Sequence, residues 1–256
     1  MTYCLAIRVD QGLVFASDSR THAGADHVST FSKMHLFEQP GGRAICLLSA
    51  GNLATSQAVL RQVRRDNERG SGLSLNSAKD LAEAAEYVGA LSREEQHKHK
   101  QGATSDEKFS PEASFILGGE IPGRPPQLYL IYPEGNYISA TVQTPYLQIG
   151  ELKYGKPILD RIVREEVSLD VAARCALVSM DSTMRSNATV GPPVELLIYP
   201  AGALRFDGRI VLQDDNPYLR ELRQAWQAGL EEAFRRLPGL PLSRPAVQLV
   251  DAQADT

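Results

Sequence analysis

The chain has 256 residues with a formal net charge of −4, and 43% of its residues are hydrophobic. Such mild acidity gives no reason to expect a nucleic acid or an anionic membrane as a partner. Arg8 and Asp10 interrupt the N-terminal segment too early for the apolar region of a signal peptide, and no later stretch approaches ~18 uninterrupted apolar residues. The composition therefore predicts a soluble, cytoplasmic protein.

The cysteines and histidines do not show a spacing that is typical of a metal site. Cys4, Cys46 and Cys175 stand singly within apolar segments, which indicates buried, reduced thiols. His97 and His99 alternate with lysines in a hydrophilic stretch, where the neighbouring cations disfavour metal binding. Glycine-rich phosphate loops and a G-x-S-x-G nucleophile motif are absent from the sequence. We therefore predict neither a metal nor a cofactor.

The N-terminal residues predict a β-hairpin. Its strands are Leu5–Val9 and Leu13–Ser17, and Asp10–Gly12 between them fits a three-residue loop with a left-handed glycine at its end. This register places Thr2 and Asp18 on one face as diagonal neighbours, within reach of each other. The opposite face then carries bulky apolar side chains that belong in a core: Leu5, Ile7, Val9, Leu13 and Phe15.

The rest of the chain alternates between groups of strands and pairs of helices. Further strands are predicted at residues 31–37, 43–49, 113–118, 127–132, 137–141, 194–199 and 204–206. Helices are predicted at residues 53–65, 77–92 (with Ser77 as N-cap), 154–163, 169–184 and 218–236. The hydrophilic stretch from Glu94 to Pro111 is expected to be an exposed, mobile connection. This order predicts two packed antiparallel sheets with helices outside, in a single domain over residues 1–256.

Thr2 carries the chemistry that the sequence suggests first, because it becomes the terminal residue once Met1 is removed. A threonine hydroxyl needs a base to act as a nucleophile, and a terminal threonine brings one in its own α-amino group. The ordinary pKa of that amine, about 7.7–8, leaves a usable neutral fraction near neutral pH. Lys33 can disfavour protonation of the amine, and Asp18 can hold that lysine in place. The amide of Gly51, at a strand-to-helix turn, suits the role of oxyanion donor.

Each of these residues also has an ordinary structural interpretation. Many chains begin with Met-Thr, so Thr2 alone is weak support for catalysis. Asp18 is typical of the end of a strand, and Gly51 is typical of a tight turn. Lys33 is typical of an edge strand, where its charge disfavours pairing with another chain. Only their combination favours a catalytic site.

Several motifs in the right order resemble proteasome β-subunits. The segments T-Y-C-L-A-I-R-V at Thr2–Val9 and A-S-D-S-R at Ala16–Arg20, together with Lys33, are similar to the opening of those subunits and of the bacterial heat-shock-locus peptidase. The segment S-A-G-N-L-A-T-S-Q-A-V at Ser49–Val59 resembles the family's A-G-x-x-A-D-x-x-A-V stretch, and Ala172–Asn187 resembles a helix that ends in D-I-x-x-Y-T-N. Over roughly residues 2–200 the sequence is most similar to the bacterial proteasome-like family called Anbu, the ancestral β-subunit.

The resemblance implies an α+β fold, the four-layer αββα sandwich of N-terminal-nucleophile hydrolases with two antiparallel sheets flanked by helices. It implies that Thr2 is the nucleophile, that Lys33 is the charge that tunes its amine, and that Asp18 is the partner of Lys33. Gly51 takes the place of the oxyanion glycine.

The same resemblance implies further site residues. Asp181 falls where the family has a supporting acid near the terminus, and Ser186 takes the place of the accompanying hydroxyl. Thr21, Ser49 and Leu53 are implied as the lining of the pocket for the residue before the cut. Leu53 is bulkier than the alanine that is often found there, which restricts this pocket.

Two features depart from the family pattern. The Gly-Ser pair that supports the catalytic centre in the family appears here as Gly150-Glu151, and a carboxylate at that position raises the pKa of the amine. In addition, only Met1 precedes Thr2, so an aminopeptidase instead of self-cleavage is expected to expose it.

These observations lead to one main functional prediction and two alternatives. The main prediction is a threonine peptidase that cleaves peptides or unfolded proteins within a self-assembled ring or helical particle, and the analogy extends to an ATP-dependent unfoldase as a partner. The alternatives are an inert proteasome-like structural subunit, which Glu151 favours, and an N-terminal-nucleophile amidase that acts on a small amide. Residues 213–256 are predicted to form a helical extension that contacts other subunits.

Overall fold

The computed structural model describes residues 1–22, 28–39, 42–102 and 110–240. Its strands are β1 (Tyr3–Val9), β2 (Gly12–Asp18), β3 (Arg20–His22), β4 (Val28–Thr30), β5 (Met34–Gln39), β6 (Arg43–Gly51), β7 (Ala113–Glu120), β8 (Gln127–Ile131), β9 (Tyr137–Ser139), β10 (Tyr146–Gly150), β11 (Val194–Pro200) and β12 (Ile210–Leu212). Its helices are α1 (Leu53–Arg69), α2 (Leu81–Gly102), α3 (Lys156–Ile162), α4 (Leu169–Ser186) and α5 (Pro217–Arg235).

The strands form two five-stranded antiparallel sheets and a small ribbon. The first sheet has the order β10-β1-β2-β11-β12, the second has the order β5-β6-β7-β8-β9, and β3 pairs with β4. One apolar cluster, which includes Phe15 and Ile116, lies between the sheets. Another joins the first sheet to Ala176 of α4, and a third joins the second sheet to Val63 of α1. These layers confirm the predicted αββα sandwich.

The predicted register of the first hairpin is wrong by one residue. Val9 pairs with Gly12 and Cys4 pairs with Ser17, so the turn consists of Asp10 and Gln11 alone. Gly12 belongs to β2, where a Cβ atom would lie 2.0 Å from the carbonyl oxygen of Tyr199 in β11. The glycine therefore serves the close approach of a neighbouring strand and not the turn.

This shift also changes which side chains share a face, because neighbouring residues of a strand point to opposite sides. Leu13 and Phe15 lie between the sheets together with Cys4. Val14 and Ala16 instead join the cluster beneath α4. The predicted grouping of Leu13 and Phe15 on one face with Leu5, Ile7 and Val9 is therefore wrong.

Three other predicted elements need correction. Residues 204–206 are not a strand, and β11 pairs with β12 instead. Ser77 does not cap α2: its hydroxyl accepts a hydrogen bond from the Ser74 amide, while Asp80 accepts one from the Glu83 amide at the helix start. The predicted connection from residue 94 is helical up to Gly102, and its residues 103–109 lie outside the described part of the chain.

The last helix, α5, packs beside α4 at the edge of the sandwich. Leu219 anchors it and is 2% exposed, whereas Leu230, Phe234 and Leu237 are 47%, 75% and 60% exposed. Among the described residues, no helix is both long and apolar enough to cross a bilayer.

Candidate active site

Thr2 lies immediately before β1, where the neighbouring strand β10 ends. The Glu151 amide donates a hydrogen bond to the Thr2 carbonyl over 2.7 Å. Gly150 has a φ angle of +87°, and a Cβ atom there would lie 1.9 Å from the same carbonyl oxygen. Only glycine therefore allows the end of β10 to hold Thr2 at this position.

A buried ion pair lies beside Thr2. The Lys33 ammonium donates to the Asp18 carboxylate over 2.7 Å, and the two side chains are 7% and 0% exposed. Lys33 also donates to the Arg20 carbonyl over 2.7 Å, and the amides of Tyr3 and Gly191 donate to Asp18 over 3.0 and 3.3 Å. The ammonium is thus fixed by two acceptors, and Asp18 is satisfied by three donors, which is what a buried charge requires.

The charges of the site change the pKa of the chain's α-amino group, which belongs to Met1 in the described chain. Its pKa is lowered from the ordinary value, first by burial and second by the charge of Lys33. Asp18 and Glu151 act in the opposite direction. Burial also raises the pKa of the Asp18 carboxyl, an effect that Lys33 and the two amides oppose.

A cavity of about 330 Å³ brings most of the predicted site residues together. Thr2, Thr21, Lys33, Ser49, Gly51 and Leu53 all line it. Asp18 lies behind Lys33. Arg20 and Ser56 also line the cavity, and sequence analysis did not identify them.

The cavity continues in two directions. Beyond Gly51 a second cavity of about 610 Å³ shares the lining residues Ala50, Gly51 and Gly150. Beyond Leu53 lies a third cavity, of about 300 Å³, which shares four lining residues with the cavity at Thr2: Lys33, Ser49, Leu53 and Ser56. Together they form an open cleft with Thr2 near its middle.

The structure does not bring Asp181 and Ser186 into this cavity. Asp181 accepts a hydrogen bond from the Arg223 guanidinium of α5 over 2.5 Å, and both residues line a separate cleft. Ser186 is exposed at the end of α4. Their suggested roles at the terminus remain predictions, and the described contacts lend them no support.

Glu151 and Asn187 form a contact that the sequence did not reveal as a pair. Glu151 is 6% exposed, and its carboxylate accepts hydrogen bonds from the Asn187 side-chain amide over 3.0 Å and from the Lys153 backbone amide over 3.3 Å. Glu151 therefore places a buried carboxylate next to the terminus. The motif that ends at Asn187 was the only sequence signal for this contact. It does not identify Glu151 as the partner, because Glu151 lies 36 positions earlier in the chain.

Within the described ranges, no group of three or more His, Cys, Asp or Glu residues has the geometry of a metal site. His97 and His99 belong to α2 and not to a loop. The cysteines at positions 4, 46 and 175 are free and buried.

Comparisons with known proteins agree with this fold. A family model described as "Proteasome subunit" matches residues 2–199. The chain is similar to a solved structure of Anbu (ancestral beta-subunit) from Yersinia bercovieri, with 44% identity and a TM-score of 0.88 over 94% of this chain and 100% of that one. It is also similar to the helical assembly of the Anbu complex from Pseudomonas aeruginosa, with 44% identity and a TM-score of 0.89 over 94% and 99% of the two chains.

A third similar structure is Anbu from Hyphomicrobium sp. strain MC1, which is 41% identical with a TM-score of 0.85 over 93% of this chain and 99% of that one. No curated protein matches the chain significantly.

Proposed function

The chain belongs to the proteasome subunit family and, within it, to the Anbu proteins, and on that premise we propose that it is a threonine peptidase with Thr2 as its N-terminal nucleophile. The observation that carries the proposal is the buried Lys33–Asp18 pair at the cavity that Thr2 lines. A buried ammonium held by a carboxylate next to a terminal amine has a clear chemical use, because it keeps that amine unprotonated.

The reaction begins once Thr2 is the first residue of the chain. Its neutral amine accepts the proton of the Thr2 hydroxyl, and the Oγ1 atom attacks the carbonyl carbon of the scissile bond. The Gly51 amide is suited to stabilise the oxyanion that forms. The protonated amine then gives its proton to the departing amine, which leaves an ester between Thr2 and the acyl half of the substrate. Water hydrolyses this ester and restores the hydroxyl.

The shape of the cleft supports a peptide over a small amide as the substrate. A site for a small amide is expected to be closed, since such pockets bury most of their ligand's surface. Here the cavity at Thr2 opens on both sides, past Gly51 and past Leu53, into further cavities. A peptide fits this open arrangement, with its main chain along the cleft at Thr2 and a side chain in an adjoining cavity.

One observation favours a second candidate, an inert structural subunit. The buried carboxylate of Glu151 raises the pKa of the terminal amine and thus opposes Lys33. Of the influences on this pKa, that of Glu151 is the smallest, and the net shift is downward, so this candidate ranks second.

We also propose that the protein associates with further copies of itself, as a relative described as a helical assembly does. The exposed apolar residues at the end of α5 and just after it (Leu230, Phe234 and Leu237) are the surface that we assign to a second copy, because a monomer gains nothing from leaving them in water. An ATP-dependent unfoldase as a partner and a cytoplasmic location remain predictions.

A substrate panel distinguishes the candidates. The purified protein is incubated with unstructured peptides and with small molecules that contain a single amide, and products are identified by mass spectrometry. Cleavage of peptides alone, lost in Thr2→Ala but kept in Thr144→Ala, which changes an exposed threonine outside the cleft, is the expected result. Cleavage of small amides alone identifies an amidase, and no cleavage of either by a chain that begins at Thr2 identifies an inert subunit.

A further inference from the structure

The cavity beyond Leu53, which we call the side cavity, extends the space next to Thr2 away from the main cleft. It has a volume of about 300 Å³ and shares Lys33, Ser49, Leu53 and Ser56 with the cavity at Thr2. Ser49 and Leu53 are also two of the residues predicted to surround the residue before the cut. We therefore expect the side chain of that substrate residue to point towards the side cavity.

One face of α1 forms a wall of the side cavity. Leu53, Gln57, Leu60, Arg61 and Arg64 all line it. Their spacing of three or four positions places them on one side of the helix. Because side chains tilt towards the N-terminus of a helix, the two arginines lean back towards Leu53.

The charge of the side cavity is positive. Arg61 and Arg64 form no ion pair with another described residue. Lys33, the remaining charged residue of the lining, is paired with Asp18. No carboxylate lines the cavity within the described ranges.

Arg64 also lines a neighbouring cleft together with Glu38 and Glu68, and neither of these carboxylates forms an ion pair with it. Glu195 pairs with Arg209 over 3.2 Å and accepts a hydrogen bond from Ser32 over 2.7 Å, so its charge is already matched. Burial, and then the charges of Arg64 and Arg209, lower the pKa of His35 to about 4, so its imidazole is neutral near neutral pH. A neutral imidazole can still donate a hydrogen bond to an anion.

We propose that the side cavity selects substrates with an acidic side chain, glutamate or aspartate, at the residue before the cut. This proposal rests on the proposed peptidase function and names its substrate class. Leu53, Leu60 and Phe31 offer apolar contact to the methylene groups of the side chain. Arg61 and Arg64 supply the unpaired positive charge for its carboxylate, a pairing to which guanidinium groups are well suited.

The test measures binding without requiring cleavage. Dye-labelled peptide amides that differ only in the last residue, Glu, Gln or Leu, are titrated into the full-length Thr2→Ala protein, and Kd is read from fluorescence anisotropy. Glu should bind about tenfold more tightly than Gln, because the two differ in charge and hardly in shape. Added salt should reduce the difference, since both arginines are exposed.

Variants of α1 test whether Arg61 and Arg64 cause the preference for Glu over Gln. The double variant Arg61→Gln, Arg64→Gln should bind the Glu and Gln peptides equally, whereas Arg65→Gln, on the same helix but outside the lining, should keep the preference. Equal binding of Glu and Gln by the parent protein, or an unchanged preference in the double variant, overturns the proposal. Failure of the peptidase function itself is read separately, from the absence of cleavage by a chain that begins at Thr2.

Discussion

Lys33 is the residue on which the proposed chemistry depends most. Its ammonium lowers the pKa of the α-amino group, and the deprotonated amine is the active form, so activity rises as pH increases through that pKa. In Lys33→Ala the rise should move to higher pH by about one unit, because the unpaired Asp18 carboxylate then favours the protonated amine. The measurement is kcat/KM for a cleaved peptide against pH.

The control for this shift is Lys79→Ala, since Lys79 is 79% exposed and far from the terminus in the fold. A profile for Lys33→Ala that moves to lower pH, or does not move, contradicts the assigned role. The stability of the variant should also fall by about 3 kcal/mol, because Asp18 is left buried without its partner.

Glu151 should act in the opposite sense to Lys33. Its carboxylate raises the pKa of the amine, so Glu151→Gln should move the rise in activity to lower pH and increase the rate near neutral pH. The Gln side chain keeps an oxygen that can accept from Asn187, which preserves the local contact. The same pH profile measures the effect, and Glu134→Gln in the turn after β8 serves as a control. A profile unchanged from the parent would show that this carboxylate does not influence the base.

At the scale of single residues, the sequence predicted the site best where the residues are close along the chain or belong to a motif. Thr2, Lys33 and Gly51 do line one cavity, and Asp18 does pair with Lys33. The role of Asp181 was harder to predict, because its partner Arg223 follows 42 positions later in a helix beyond the region of resemblance. Tertiary packing, and not the local sequence pattern, determines which residue pairs with a carboxylate when the two are so far apart in the chain.

At the scale of elements, a largely buried ion pair joins α4 to α5, beside the apolar contact of Leu219 and a hydrogen bond from Arg185 to Gln227. The Asp181 and Arg223 side chains are 6% and 29% exposed. Arg223→Ala leaves the carboxylate buried without its partner, so the free energy of unfolding should fall by about 2 kcal/mol. Urea denaturation measures the change. Arg235→Ala replaces a side chain that is 68% exposed at the end of α5 and should change stability by less than about 0.5 kcal/mol. An equal loss in both variants would contradict the assignment.

Most long elements were predicted, although α2 extends ten residues further than expected, and four short strands, β3, β4, β10 and β12, were missed. Helices α1 and α4 carry apolar residues at helical spacing and side-chain caps at Asn52 and Ser168, so their starts were readable from sequence. Strand β10 pairs with β1, some 140 residues earlier, and nothing local marks it as a strand. The register of β1 and β2 was missed for a similar reason, because the purpose of Gly12 lies in its contact with β11.

At the scale of the whole molecule, self-association is the property that the exposed side of α5 should control. Phe234→Asp places a charge among the apolar residues assigned to a second copy, which should reduce the mass of the assembly in light scattering coupled to gel filtration. Ala225→Asp adds the same charge on the opposite side of α5, nine residues before Phe234, and should leave the mass unchanged. An unchanged assembly in Phe234→Asp would assign the contact to another surface.

The central claim, a competent N-terminal threonine, is tested most directly by the intact mass of the protein before and after treatment with a threonine-directed epoxyketone. We predict a chain that begins at Thr2 and gains one covalent adduct, with no adduct in Thr2→Ala. A chain that begins at Thr2 and forms no adduct would contradict the proposed nucleophile.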